Sequence, residues 1–229
     1  MKNFISQLRK AKLVGSLVHT LDYCLQRELT DCETVLDLGC GPSSPVQYCK
    51  NIRHSIGVEA FEPYLKAAQI LGTHTQYLAQ RLENLDFPEA SFDAIIMIEV
   101  LEHLSEEMAS EAIKKAEKWA RKKVIISTPN GYFPMGAVDG NSLQRHLSGW
   151  SVERLEKLGF ECHGVSGFKA LYLKENAVHS LTDQADNIFA NMRFRPKKLF
   201  YLINGLLQIG VYFFPRVAFG LFAVKNKNV

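Results

Sequence analysis

Short β-branched apolar runs alternate with helical patterns along most of this chain, and that alternation narrows it to one fold class. The strand candidates are 34–38, 55–59, 75–78, 92–98, 123–127 and 160–165, with a last one at 218–224. Helical patterns lie between them near 45–51, 63–71, 105–120 and 151–158. Ser105 followed by Glu106 and Glu107 marks a helix start, and Lys114, Lys115 and Lys118 downstream suit its dipole. Strands separated by helices predict an α/β protein with a doubly wound, mainly parallel sheet of seven strands, covered on both faces.

At 229 residues and 47% hydrophobic composition the chain reads as a single domain with a substantial core. That excludes a disordered regulator, a collagen-like fibre and a disulfide-stapled miniprotein. Cys24, Cys32, Cys40, Cys49 and Cys162 form no CxxC pair and no even framework, which points to a reducing, cytoplasmic setting. The expected organisation is an N-terminal helical segment (1–30) packed across an edge of the core, a cofactor-binding core (31–168), a helical insertion (169–217) and a final strand (218–225). The first thirty residues lack the uninterrupted apolar stretch and cleavage site of a signal peptide.

TVLDLGCGPSSP (34–45) is a strand, a glycine-rich turn and a helix start. Gly39 and Gly41 allow a tight turn and a close approach to a ligand. Ser44 stands where a dinucleotide fingerprint has its third glycine. Glu59 ends the next strand, 18 residues beyond Gly41, where a carboxylate can accept from both ribose hydroxyls. Asp37 at the tip of the first strand would repel a pyrophosphate but suits a ligand carrying an ammonium and a sulfonium. Nicotinamide-dehydrogenase chemistry is the weaker reading on that ground.

These residues resemble the class I S-adenosylmethionine-dependent methyltransferases (type 11/12-like) over about 31–224. VLDLGCG is similar to their first motif, IGVEAF to their second, and LENLDFPEASFDAIIMIEVLEHL to the stretch leading into and along their fourth strand. The resemblance implies a Rossmann-like methyltransferase fold with S-adenosyl-L-methionine as cofactor. It places Gly39 and Gly41 beside the methionine portion and Glu59 on the ribose. Many members bind the adenine amine with an Asp where this chain offers Gln80 and Arg81; the Gln80 amide oxygen can accept that bond instead. Asp37, Gly39, Gly41, Glu59, Gln80 and Glu99 thus form the candidate cofactor set.

MIEVLEHL spaces Glu99, Glu102 and His103 at i, i+3 and i+4, one face of a helical turn, at the carboxyl end of a parallel strand. Two carboxylates and an imidazole suit Mg²⁺ or Mn²⁺. His146, in the loop after the fifth strand, is the fourth candidate ligand. This ExxEH pattern with a later His resembles the small-RNA 3′-end 2′-O-methyltransferases and the ubiquinone-biosynthesis O-methyltransferases, which implies Glu99, Glu102, His103 and His146 as metal ligands. Glu102, His103 and His146 are also the candidate catalytic residues, a histidine being the general base where no metal binds. Asn130 and Asp139 are secondary candidates for acceptor contacts, although Asn130 in Pro-Asn-Gly also reads as a turn residue. Trp150 reads as packing the following helix.

Charge is distributed unevenly. After Asp186 there is no acid, yet Arg193, Arg195, Lys197, Lys198, Arg216, Lys225 and Lys227 follow; the remainder has 20 cations against 24 acids. RFRPKK (193–198) leads into the apolar run 199–214, which is shorter than the ~20 residues of a membrane-spanning helix. The first reading is a helical insertion packed on the sheet or forming a homodimer interface, and a polybasic flank beside an apolar helix also allows peripheral membrane contact through 193–215. The remaining alternative is a nucleic-acid groove, against which the net charge of +3 argues. The functional expectation is O-methylation of a small or lipid-linked hydroxylated acceptor, metal-assisted. An RNA 3′-end 2′-O-methyltransferase and an inert cofactor-binding partner protein are the alternatives.

Overall fold

The structure, a computed structural model, describes residues 12–172 and 197–227. Arg193, Arg195 and most of the polar stretch 170–192 lie outside them.

The seven expected strands form one sheet: β1 (Thr34–Leu38), β2 (His54–Val58), β3 (Gln76–Leu78), β4 (Phe92–Ile98), β5 (Ala120–Pro129), β6 (Glu161–Phe168) and β7 (Ala218–Asn226). Their order is β3-β2-β1-β4-β5-β7-β6. The β1–β2, β1–β4, β2–β3 and β4–β5 pairs are parallel, and β7 runs antiparallel to β5 and β6. The winding direction reverses between β1 and β4, so a crevice opens at the carboxyl ends of those two central strands. The helices are α1 (Lys12–Val18), α2 (Leu21–Glu28), α3 (Glu62–Leu71), α4 (Glu106–Trp119), α5 (Val152–Lys157) and α6 (Lys197–Val211). The helix expected at 45–51 is only a 3-10 turn, Pro45–Tyr48.

The sequence dictates α4 plainly. Ser105 caps it, its Oγ accepting from the Met108 amide at 3.3 Å, with Glu106 and Glu107 in the first turn and Lys118 in the last. Ala109, Ala112, Ile113, Ala116 and Trp119 make a buried stripe at helical spacing against β4 and β5. On the other face of the sheet, Cys24, Leu25 and Leu29 of the α2 region pack among Val35, Ala94, Ile96 and Ile125. The N-terminal segment therefore covers the middle of the sheet, not an edge as expected. The reason is an apolar stripe that fits the Val and Ile side chains of the central strands.

Helix α6 runs along the outer edge of β6 and inverts the usual pattern. An edge strand presents unpaired amides and carbonyls, and α6 answers them with polar groups. Gln208 accepts from the Gly167 amide at 2.6 Å and donates to the Gly164 carbonyl at 3.0 Å. Asn204 accepts from the Phe168 amide at 3.1 Å, and the Tyr212 carbonyl accepts from the Gly164 amide at 3.1 Å. Gln208 is accordingly 7% exposed, while Leu206, Phe213 and Phe214 are 63%, 64% and 67% exposed.

Part of the charge asymmetry resolves across the fold. Arg216 pairs with Glu153 at 2.8 Å and Glu156 at 3.5 Å, and Lys225 pairs with Glu117 at 2.8 Å. Among the described residues no helix is long and apolar enough to cross a membrane.

Candidate active site

The crevice at the β1 and β4 tips holds about 410 Å³ and is lined by Asp37, Gly39, Gly41, Glu59, Gln80, Glu99 and His103 among others. Seven of the nine sequence-predicted site residues therefore meet in one cleft. Glu102 and His146 are buried and do not line the cleft, but their ligand atoms lie within 4.8 Å of that of His103, which does.

On the β1 side, Gly39 and Gly41 both adopt positive φ, +74° and +57°. Their roles differ. A Cβ on Gly39 would come within 2.7 Å of Val100 Cγ2, so the constraint there is internal packing. A Cβ on Gly41 would meet nothing within 4 Å and would project into the open cleft. Glu59 holds the turn: its Oε2 accepts from the Gly41 amide at 3.1 Å and its Oε1 from the Phe61 amide at 2.8 Å. Burial raises the Glu59 pKa, and these amide bonds oppose the rise.

Asp37 does not face the cleft as a bare carboxylate. Its Oδ2 accepts from Ser44 Oγ at 2.5 Å and lies 3.2 Å from His74 Nε2, with both side chains buried. Ser44, at the position of the absent third glycine, also accepts from the Val46 amide at 3.2 Å and caps the 3-10 turn. His74 comes from the loop before β3. It fits only because residue 57 is glycine; a Cβ there would lie 2.4 Å from His74 Cδ2.

On the β4 side, the expected helical turn is absent. Glu99 sits at φ +56°, and a 3-10 turn (Leu101–His103) follows. The Glu99 and Glu102 carboxyls nevertheless stay in contact with each other. Glu99 Oε1 accepts from Ser127 Oγ at 2.5 Å and Glu102 Oε2 from Thr128 Oγ1 at 2.9 Å. Burial raises the pKa of both carboxyls, and their proximity raises that of Glu102 further.

The group whose ligand atoms lie within 4.8 Å of one another is Glu102, His103 and His146, without Glu99. The loop bearing His146 is stitched to the 3-10 turn: the Leu147 and Ser148 amides donate to the Glu102 carbonyl at 2.7 and 3.1 Å, and Ser148 Oγ donates to the Leu101 carbonyl at 3.0 Å. His146 Nδ1 donates to the Phe133 carbonyl at 2.6 Å and His103 Nδ1 to the Arg145 carbonyl at 3.4 Å. Each imidazole is thereby fixed in the tautomer that leaves Nε2 with a lone pair. Burial, with His146 nearby, pushes the His103 pKa down to about 4, and burial lowers that of His146.

The secondary candidates fall outside this cluster. Asn130 donates to the Pro215, Arg216 and Ala218 carbonyls at 3.0–3.2 Å, clamping the end of β5 to the segment before β7 instead of acting as a turn residue. Asp139 lies in the tight turn between Val138 and Asn141. Trp150 packs as expected, fully buried, with the Arg154 guanidinium 3.9 Å above its ring.

Residues 36–127 match the family described as Methyltransferase domain. No curated protein matches the chain in sequence. Three of the solved structures that share its fold illustrate the likeness. The plantazolicin methyltransferase BpumL in complex with SAH is 15% identical, with a TM-score of 0.53 over 100% of this chain and 88% of that one. A SAM-dependent methyltransferase from Archaeoglobus fulgidus is 18% identical, with a TM-score of 0.52 over 94% and 98%. The methyltransferase domain of bacterial CtHen1 is 17% identical, with a TM-score of 0.53 over 92% and 100%. Residues 36–127 thus match a methyltransferase domain, and they sit in a sheet with the Rossmann-like methyltransferase fold.

Proposed function

We propose that the protein transfers a methyl group from S-adenosylmethionine to a hydroxyl of a small or lipid-linked acceptor, and that Glu102, His103 and His146 receive that hydroxyl. The observation that carries this reading is that ligand atoms of the three lie within 4.8 Å of one another, each histidine Nδ1 bound to a backbone carbonyl, behind the cleft that His103 lines.

The cofactor fits the β1 side. Open space above Gly41 admits the methionine portion, Glu59 has lone pairs left for the ribose hydroxyls, and Gln80 lies where its amide can meet the adenine. Asp37, engaged by Ser44 and His74, acts as a brace for the turn. The sulfonium methyl is activated already, so the protein aligns the acceptor oxygen and takes or screens its proton.

The donor set of one carboxylate and two imidazoles fits a divalent ion. With Glu99 turned to Ser127, it suits Mn²⁺ better than Mg²⁺, which prefers oxygen. Such an ion supplies a lowered pKa at an acceptor hydroxyl. His103 lines the cleft and offers Nε2 to the same hydroxyl as a hydrogen-bond acceptor.

The test is calorimetric. S-adenosylhomocysteine should bind metal-stripped protein, and Mn²⁺ should give a separate heat that His146→Ala abolishes while cofactor binding persists. Cofactor binding with no Mn²⁺ heat, with or without a catechol, would sink the metal-assisted reading. Steeply salt-dependent binding of an oligoribonucleotide would favour an RNA end as acceptor. Cofactor binding without turnover on any hydroxylated acceptor would favour an inert partner.

A further inference from the structure

We infer that the outer side of α6, continued by Phe213, Phe214 and Leu17 of α1, is a docking surface for an anionic phospholipid membrane. The argument starts from the inversion of α6. Its inward polar groups do the structural task of covering the β6 edge, so its outward apolar residues contribute nothing to closing the fold. Leu206, Ile209, Phe213, Phe214, Val217 and Leu17 nevertheless stand exposed. His19 joins the two helices, stacking on Tyr212 at 3.9 Å and meeting Phe213 edge-on at 5.6 Å. Six large apolar side chains, three on the two adjoining helices and three in the segment that follows α6, exceed the scattered exposure of an ordinary soluble surface.

Charge selects the occupant. In the sequence Arg193 and Arg195 precede α6 and Lys197 and Lys198 open it, and no acid occurs from 187 to 229. An anionic bilayer complements both features, taking the apolar side chains into its interface and the cations against its headgroups. The orientation is also useful. Asn204 meets the Phe168 amide and Tyr212 the Gly164 amide, so α6 runs antiparallel to β6 and its cationic start points to the same end of the sheet as the cleft.

The test is flotation of the whole protein with vesicles of phosphatidylcholine alone or mixed equally with phosphatidylglycerol. The wild type should float with the mixed vesicles and lose binding as salt rises. Phe213→Asp with Phe214→Asp should weaken partitioning by about 100-fold. Lys197→Glu with Lys198→Glu should remove the preference for anionic vesicles, about fivefold or more per cation. Unchanged S-adenosylhomocysteine binding by both variants shows that the cleft is intact, and flotation reads the surface independently of any methyl acceptor. The proposal is overturned if the wild type stays in solution, or if both variants float as it does. It is also overturned if the wild type is a dimer that Phe213→Asp dissolves, since a second copy then owns the face.

Discussion

The two walls of the cleft are built differently. The β1–β2 wall consists of a local motif: Gly39, Gly41 and Ser44 lie in one turn, and Glu59 reaches back to the Gly41 amide from the neighbouring strand tip. The β4–β5 wall is assembled over distance, from a 3-10 turn, the Ser127 and Thr128 hydroxyls, and a loop that returns His146 beside His103. The first wall is a rigid holder set by backbone geometry. The second is a side-chain cluster that depends on tertiary folding for its existence.

This contrast can be broken experimentally. The largest effect belongs to Glu59→Ala, which removes two amide bonds to a carboxylate acceptor together with the proposed ribose contact. Affinity for S-adenosylhomocysteine should fall by about 100-fold by calorimetry, with the Mn²⁺ heat retained. If both signals vanish together, the walls are not independent. His74→Ala comes next. It leaves Asp37 with Ser44 alone and opens a void under the turn, so melting should show a loss of about 2 kcal/mol with a smaller drop in cofactor affinity.

Asp93, at the amino end of β4, is a control remote from both walls. Burial would raise its pKa, but the Glu33 and Thr34 amides and the Arg121 guanidinium outweigh that and hold it below the usual carboxylate value. A depressed folded pKa stabilises above the unfolded value and loses that contribution as pH falls through the folded one. Asp93→Asn should therefore cost about 1 kcal/mol at neutral pH and flatten the acid limb of a melting profile, without changing cofactor affinity. The smallest effect is expected from Phe214→Asp, whose side chain is mostly in solvent: a change within about 0.5 kcal/mol in stability.

Legibility in the sequence followed the same division. β1 and β4 were readable to the residue, since their apolar runs are bounded by polar turns, and Glu59 was readable from its distance to the glycine loop. His74 was not, because its partner Asp37 is far away in sequence; Gly57 inside a strand was the only trace of it. The spacing of Glu99, Glu102 and His103 presumed α geometry, whereas Glu99 takes a left-handed conformation and a 3-10 turn follows, and Glu99 stays in contact with Glu102 while its Oε1 accepts from Ser127. His146 was found by residue type, but its tautomer depends on the Phe133 carbonyl, which no spacing rule indicates. In α6 the apolar content was plain, yet which side faced inward was decided by the unpaired edge of β6.

The paired amides of Leu147 and Ser148 on one carbonyl, that of Glu102, have a dynamic consequence. A loop tied to the 3-10 turn at two adjacent residues cannot fray one residue at a time. Both protons should exchange with solvent at a common rate, set by a concerted opening of the 3-10 turn and the loop together. Access to Glu102 and His146 is then governed by one local unfolding equilibrium, and whatever ligand bridges Glu102 to His146 would close that equilibrium and slow both amides in step.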